Sequence, residues 1–95
     1  MKAYVIVRVT VTDPERYKTY AALVPAIIAQ YGGTYLVRGG KSVTLEGPAE
    51  TGRVVVMEFP SLEKAQEFYH SPEYQQAKKL RAGAAEGTLL AVEGV

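Results

Sequence analysis

Between Ala3 and Val11 the chain carries apolar side chains on both parities: Val5, Val7, Val9 and Val11 on one, Tyr4 and Ile6 on the other, where Arg8 and Thr10 are the polar members. In an extended strand the two parities face opposite sides of a sheet, so this segment predicts a strand that needs cover on both faces. A chain of 95 residues has room for one core and one layer of helices. The valine parity is expected to face those helices. The other face is left for something outside the chain, and a second copy is the simplest source.

The remaining punctuation sets the order of elements. Thr12-Asp13-Pro14-Glu15 is a helix start: Asp13 suits the N-cap, Pro14 the first helical position, and Glu15 the positive end of the helix dipole. Tyr17, Tyr20, Ala21, Val24, Ile27, Ile28 and Tyr31 follow at helical spacing, with Pro25 expected to kink or split the helix and Gly32-Gly33 to end it. Thr34–Arg38 reads as a second strand, Gly39-Gly40 as a bulge, Ser42–Glu46 as the strand's continuation, Gly47–Gly52 as a turn with Glu50 on its exposed tip, and Arg53–Phe59 as a third strand. Pro60-Ser61 caps a helix with the stripe Leu62, Ala65, Phe68, Tyr69. Ser71-Pro72-Glu73 starts a new helical segment running to Ala84, and Thr88–Glu93 is the last strand. The fold class expected is therefore α+β, a ferredoxin-like β-α-β-β-α-β unit with a four-stranded antiparallel sheet, one domain over residues 1–95.

Composition removes whole classes of function. Eleven Lys and Arg against ten Asp and Glu leave a net charge of +1 with the signs interspersed, so no basic stripe offers itself to nucleic acid. No cysteine is present, which excludes disulfides, thiolate nucleophiles and thiolate metal sites, and His70 is the single histidine, so no metal is expected. Arg8 interrupts the apolar run that begins at Met1 and no stretch approaches a membrane span, so a cytoplasmic chain without a membrane partner is expected. The glycine pairs are not a nucleotide motif, since Gly32-Gly33 follows a helix and precedes a strand, the reverse of the dinucleotide-binding order.

Five ordered blocks carry a resemblance: Thr12-Asp13-Pro14; Gly32-Gly33-Thr34-Tyr35-Leu36-Val37-Arg38; Leu45-Glu46-Gly47; Arg53 to Ser61; and Ser71-Pro72-Glu73-Tyr74-Gln75 with Arg81. In that order they resemble the uncharacterised-domain family 1330, within the dimeric α/β-barrel superfamily. The resemblance implies a homodimer whose two sheets pack into a barrel. Its superfamily also holds cofactor-independent monooxygenases, muconolactone-isomerase-like enzymes and haem-binding members, and it implies no reaction for this family.

Residues able to carry chemistry are few. Arg8, Arg38 and Glu58 lie in strands that otherwise bury their side chains, and buried charges need partners. The symmetric hairpin predicts cross-strand pairs of Glu46 with Arg53 and of Arg38 with Glu58. The functional alternative is that Arg38 holds a carboxylate or enolate ligand while Glu58 acts as base. Tyr17, Tyr69 and Tyr74 should turn toward the sheet, as core aromatics with one polar end or as hydroxyls around a small pocket. His70, where the second helix pauses, is either a solvated group at a helix C-terminus or a proton shuttle or haem ligand. Two readings stay open: a homodimeric domain that binds a small organic metabolite or only stabilises its own assembly, and a cofactor-independent oxygenase- or isomerase-like enzyme for an aromatic or polyketide-like substrate. Neither calls for a cofactor.

Overall fold

The computed structural model describes residues 1–95, in the order β1 (Ala3–Val11), α1 (Pro14–Gln30), β2 (Thr34–Arg38), β3 (Arg53–Phe59), α2 (Leu62–His70), α3 (Pro72–Arg81) and β4 (Ala85–Glu93). The strands form one antiparallel sheet in the order β2-β3-β1-β4, and the helices cover one of its faces, which makes an α+β, ferredoxin-like fold. The valine parity of β1 faces the helices as expected: Val5, Val7 and Val9 are buried in one core with Val55, Met57 and Phe59 of β3, Val24 and Ile28 of α1, and Phe68 and Tyr74 of α2 and α3. No helix is long and apolar enough to cross a membrane.

The helix ends follow their local chemistry. Asp13 accepts the Arg16 N–H at 3.2 Å, and Ser61 accepts that of Lys64 at 3.1 Å. Ser71 serves two helices at once: its hydroxyl donates to the Phe68 carbonyl at 2.8 Å, closing α2, and accepts the Tyr74 N–H at 3.1 Å, opening α3. At the end of α1, Gly32 (φ 76°) donates to Ala29 O and Gly33 to Ile28 O, the paired bonds of a Schellman motif. Gly32 therefore holds the left-handed position. Gly33 is required for another reason, since a Cβ there would fall 2.6 Å from Phe59 Cε1.

Several expectations change. α1 runs unbroken through Pro25: proline removes one bond, and the buried Val24, Ile27 and Ile28 on either side hold the helix together. α3 ends at Arg81 rather than Ala84, because Gly83 (φ 79°) turns the chain and Ala84, buried, accepts the N–H groups of Thr12 and Asp13. β4 starts at Ala85 and takes in Gly87, opposite Val9. The hairpin is shorter than its sequence suggests. Its bulge lies between Tyr35 and Val37, not at Gly39-Gly40, and Ser42–Glu46 is not strand. Gly39 N–H still donates to Val54 O at 2.9 Å, but its φ of 71° then carries the chain out of the sheet.

Glu50 is not a free turn tip. Its carboxylate forms an ion pair with Arg8 and accepts the Gly52 N–H at 3.0 Å, while its own N–H donates to Thr44 Oγ1 at 2.9 Å. The Gly52 bond and then Arg8 hold its carboxyl below the usual glutamate range. A lowered folded pKa means that the stabilisation is complete above the unfolded value and fades as pH falls through the folded one. Glu50→Gln and Glu50→Lys are both expected to lower the melting temperature at about pH 7, and the deficit of Glu50→Gln should shrink steadily below about pH 4. A deficit that stays constant into strong acid would contradict this anchoring role.

Candidate functional site

The predicted site residues do not meet in one place. β3 alternates, so Met57 and Val55 face the helices while Glu58 faces the uncovered side. Arg38 lies opposite Val55 and therefore projects on the helix side. The expected Arg38–Glu58 pair does not form: Glu58 pairs with Lys2 at 3.0 Å and raises that lysine's pKa through the hydrogen bond between them. Glu46 and Arg53 do not pair either, since Glu46 is in the segment outside the sheet and Arg53 stacks toward the Tyr17 ring, 5.9 Å from its centroid. Arg8 and Glu58 belong to the open face, which also removes Glu58 as a base acting beside Arg38.

The remaining candidates line two of the molecule's recesses, both on the helix side. The larger, about 440 Å³, opens between α2 and α3 and the β1–β4 side of the sheet. Its apolar wall is made by Val5, Ala65, Phe68, Leu89 and Ala91, and its polar groups are Tyr69, His70, Lys78 and Arg81 with Gln66. Helical spacing explains the grouping: Lys78 and Arg81 lie three residues apart on α3 and so share a face, while Tyr69 and His70 close the last turn of α2. Lys78 Nζ donates to the Tyr69 hydroxyl at 2.7 Å, and Gln75 ties down the Tyr69 carbonyl at 2.6 Å, so the end of α2 is fixed against α3. His70 is exposed at the rim, its ring edge-on to Tyr69 at 5.1 Å. Neither Lys78 nor Arg81 belongs to any of the chain's three ion pairs. Two cations and a phenol thus face an apolar cavity of a size typical for small-molecule sites, about 300–1,000 Å³.

The smaller recess lies between α1 and the β2–β3 side, with Arg38 and Tyr17 on it together with Arg53, Tyr20 and Tyr35. Between the two recesses stands the buried pair Tyr20 and Tyr74, their hydroxyls 2.8 Å apart. Burial pushes both phenols above their ordinary pKa, so both keep their protons and act as core aromatics with satisfied polar ends. Tyr17, Tyr20, Tyr74 and Tyr69 form a run of packed rings at successive centroid distances of 5.5, 6.2 and 5.4 Å. Tyr74 is therefore structural, whereas Tyr17 and Tyr69 each reach a recess. Lys78, Arg81 and Arg53 were not singled out as ligand groups. Lys78 and Arg81 share the face of Tyr74, the spacing that reveals them, and Arg53 is assigned by hairpin symmetry to Glu46.

A four-stranded antiparallel sheet with its helices on one face defines the class of ferredoxin-like α+β domains. The chain belongs to the family Domain of unknown function (DUF1330), which it matches over residues 2–95. No functionally curated protein matches it. Among solved structures, it resembles a protein of unknown function from Rhodopseudomonas palustris at 24% identity and a TM-score of 0.74, over 99% of this chain and 82% of that one. It is similar to SnoaB, a cofactor-independent oxygenase from Streptomyces nogalater, at 12% identity and a TM-score of 0.71, over 99% and 93% of the two chains. A dimeric protein of unknown function and ferredoxin-like fold from Bacteroides fragilis matches at 23% identity and a TM-score of 0.58, over 98% and 96%.

Proposed function

We propose that the chain is a cytoplasmic homodimeric domain that binds one small organic anion per subunit in the cavity beneath α2 and α3. The observation that carries the ligand reading is the placement of Lys78 and Arg81, neither of them in an ion pair, beside the Tyr69 hydroxyl and against the apolar side chains of Val5, Ala65, Phe68, Leu89 and Ala91. Partly desolvated cations without anions are costly, and an anionic ligand with an apolar body would relieve them. Leu89 and Ala91 would pack the body, and Tyr69 would fix the direction of an oxygen bound by Lys78.

The dimer reading rests on the uncovered face of the sheet. Val37, Val56, Ile6 and Leu90 stand in register across all four strands, with Tyr4 and Val92 beside them. Leu90 and Val92 are 61% and 43% exposed in the single chain. The ion pairs Arg8–Glu50 and Lys2–Glu58 lie toward opposite ends of this face. An apolar centre with a charged rim is the usual anatomy of a protein interface, and the dimeric Bacteroides fragilis relative shares the fold.

A second reading is an oxygenase that needs no cofactor, favoured by the likeness to SnoaB over nearly the whole chain. In that case the same Lys78–Tyr69 pair would stabilise the negative oxygen of an ionised phenol or enol. One experiment separates the readings. A panel of acids, phenols and neutral analogues is screened by thermal shift on the wild-type chain and Lys78→Met, with oxygen consumption followed for every hit. Anionic compounds should stabilise the wild type, and Lys78→Met should bind them at least about tenfold more weakly. Equal response of both proteins, or of acids and their neutral amides, would defeat the binding reading, and turnover of oxygen would select the second.

A further inference from the structure

We infer that the recess beneath α1 is a second, separate binding site, selective for the carboxylate of a short aliphatic acid, which Arg38 and Arg53 bind together. Arg53 reaches it from the first residue of β3 and Arg38 from the last residue of β2, and both line the same recess. Each guanidinium is laid against an aromatic ring: Arg38 Cζ is 4.6 Å from the centroid of Tyr35, and Arg53 Cζ 5.9 Å from that of Tyr17. Neither arginine takes part in an ion pair of the chain. Arg53 Nε is buried without any hydrogen-bond partner, which no other buried side-chain nitrogen or oxygen shows.

The backbone is shaped for this guanidinium as well. Gly39 adopts φ 71°, and a Cβ on it would overlap the Arg53 side chain, so the left-handed glycine both turns the chain out of the sheet and leaves room for the cation. Two guanidinium groups laid against aromatic rings, neither paired with a carboxylate of the chain, are suited to an anion. A planar carboxylate suits paired guanidinium forks better than a tetrahedral anion, because both of its oxygens can accept in the plane of the donors. The recess behind the arginines is apolar, formed by Val7, Ala21, Val24, Val55 and Met57, and at about 30 Å³ it favours a short aliphatic tip. Tyr35, half-buried there, has its pKa raised by burial, and the Arg38 and Arg53 charges oppose the rise. The buried Tyr20–Tyr74 pair separates this site from the cavity beneath α3, so its ligand and its test are independent of that reading.

Sodium propionate is titrated against the full chain by thermal shift and calorimetry, with sodium chloride at matched ionic strength, propionamide and inorganic phosphate as comparisons. Propionate should give a saturable, millimolar response, the range open to so small a ligand, with little from propionamide or phosphate. In the Lys78→Met background, where the cavity beneath α2 and α3 has lost its anchoring cation, Arg53→Gln should weaken the response at least about tenfold. Since Arg53→Gln disturbs a part-buried group, Arg38→Gln at an exposed position provides the same test with the fold intact. A response to phosphate equal to that of propionate, or one insensitive to Arg38→Gln, would overturn the site. So would a propionate-insensitive protein in which Arg38→Gln and Glu46→Gln weaken self-association equally, because the arginines would then receive a glutamate from a second copy.

Discussion

Ile6→Asp is expected to convert the proposed dimer into monomers. Ile6 lies on β1, the central strand next to both β3 and β4, and on the face that no helix covers, opposite Val56 on one side and Leu90 on the other. A carboxylate there would be desolvated at the middle of the interface with no cation opposite it, which typically costs about 3–5 kcal/mol. The dissociation constant should therefore rise by roughly 100- to 1,000-fold or more. Light scattering should give twice the 10.3 kDa chain mass for the wild type and a single mass for the variant at micromolar concentration. Leu90→Asp, at a more exposed position on an edge strand, should act in the same direction with less risk to the fold. Unchanged mass in both variants would contradict the assignment of this face.

Phe68→Ala should produce the largest loss of stability within one chain. Its side chain is fully buried at the junction of α2, α3 and the sheet, with ring centroids 5.1 Å from Phe59 and 4.7 Å from Tyr74. Truncation leaves a cavity where neighbouring aromatics cannot close up, and such changes cost about 3–5 kcal/mol. For a domain of this size each kcal/mol is worth about 4–8 °C, so the melting temperature should fall by on the order of 15–30 °C. Leu36→Ala, at the exposed bulge of β2, should stay within about 0.5 kcal/mol of wild type. Urea unfolding with an unchanged slope would attribute the Phe68→Ala loss to the folded state, whereas a loss below about 1 kcal/mol would mean that the core is not organised around this ring.

The features legible in the sequence are those encoded locally. Capping residues at Asp13, Ser61 and Ser71, the glycine pair after Tyr31 and the period-two valines of β1 each state a backbone geometry by themselves, and the elements they predict are present. The shape of the β2–β3 hairpin is not legible locally, because it depends on long-range contacts. Glu50 is drawn down by Arg8, 42 residues away, and Gly39 turns out of the sheet where Arg53 needs space, so no local symmetry relates Glu46 to Arg53 or Arg38 to Glu58. The same limit applies to the ligand groups. Tyr17, Tyr69, Tyr74, His70 and Arg38 could be named as chemistry-bearing, but which of them share a space is set by the packing of α1 and α3 on one sheet face. That packing divides Tyr17 with Arg38 from Tyr69 with His70 and places Tyr74 between them. Lys78 reads as an ordinary solvated lysine until the end of α2 is seen to bring the Tyr69 hydroxyl to 2.7 Å.

The proposed ligand site is tested most directly by amide chemical-shift mapping on the nitrogen-15-labelled chain, titrated with the acid that most stabilises it. Binding beneath α2 and α3 should shift the amides of Tyr69, His70, Lys78, Arg81, Leu89 and Ala91, which line the cavity. Amides of Thr34, Val37 and the N-terminal turn of α1 should stay in place, and Lys78→Met should abolish the shifts at matched ligand concentration. Shifts confined to the open face of the sheet, or an unaltered pattern in Lys78→Met, would contradict the account.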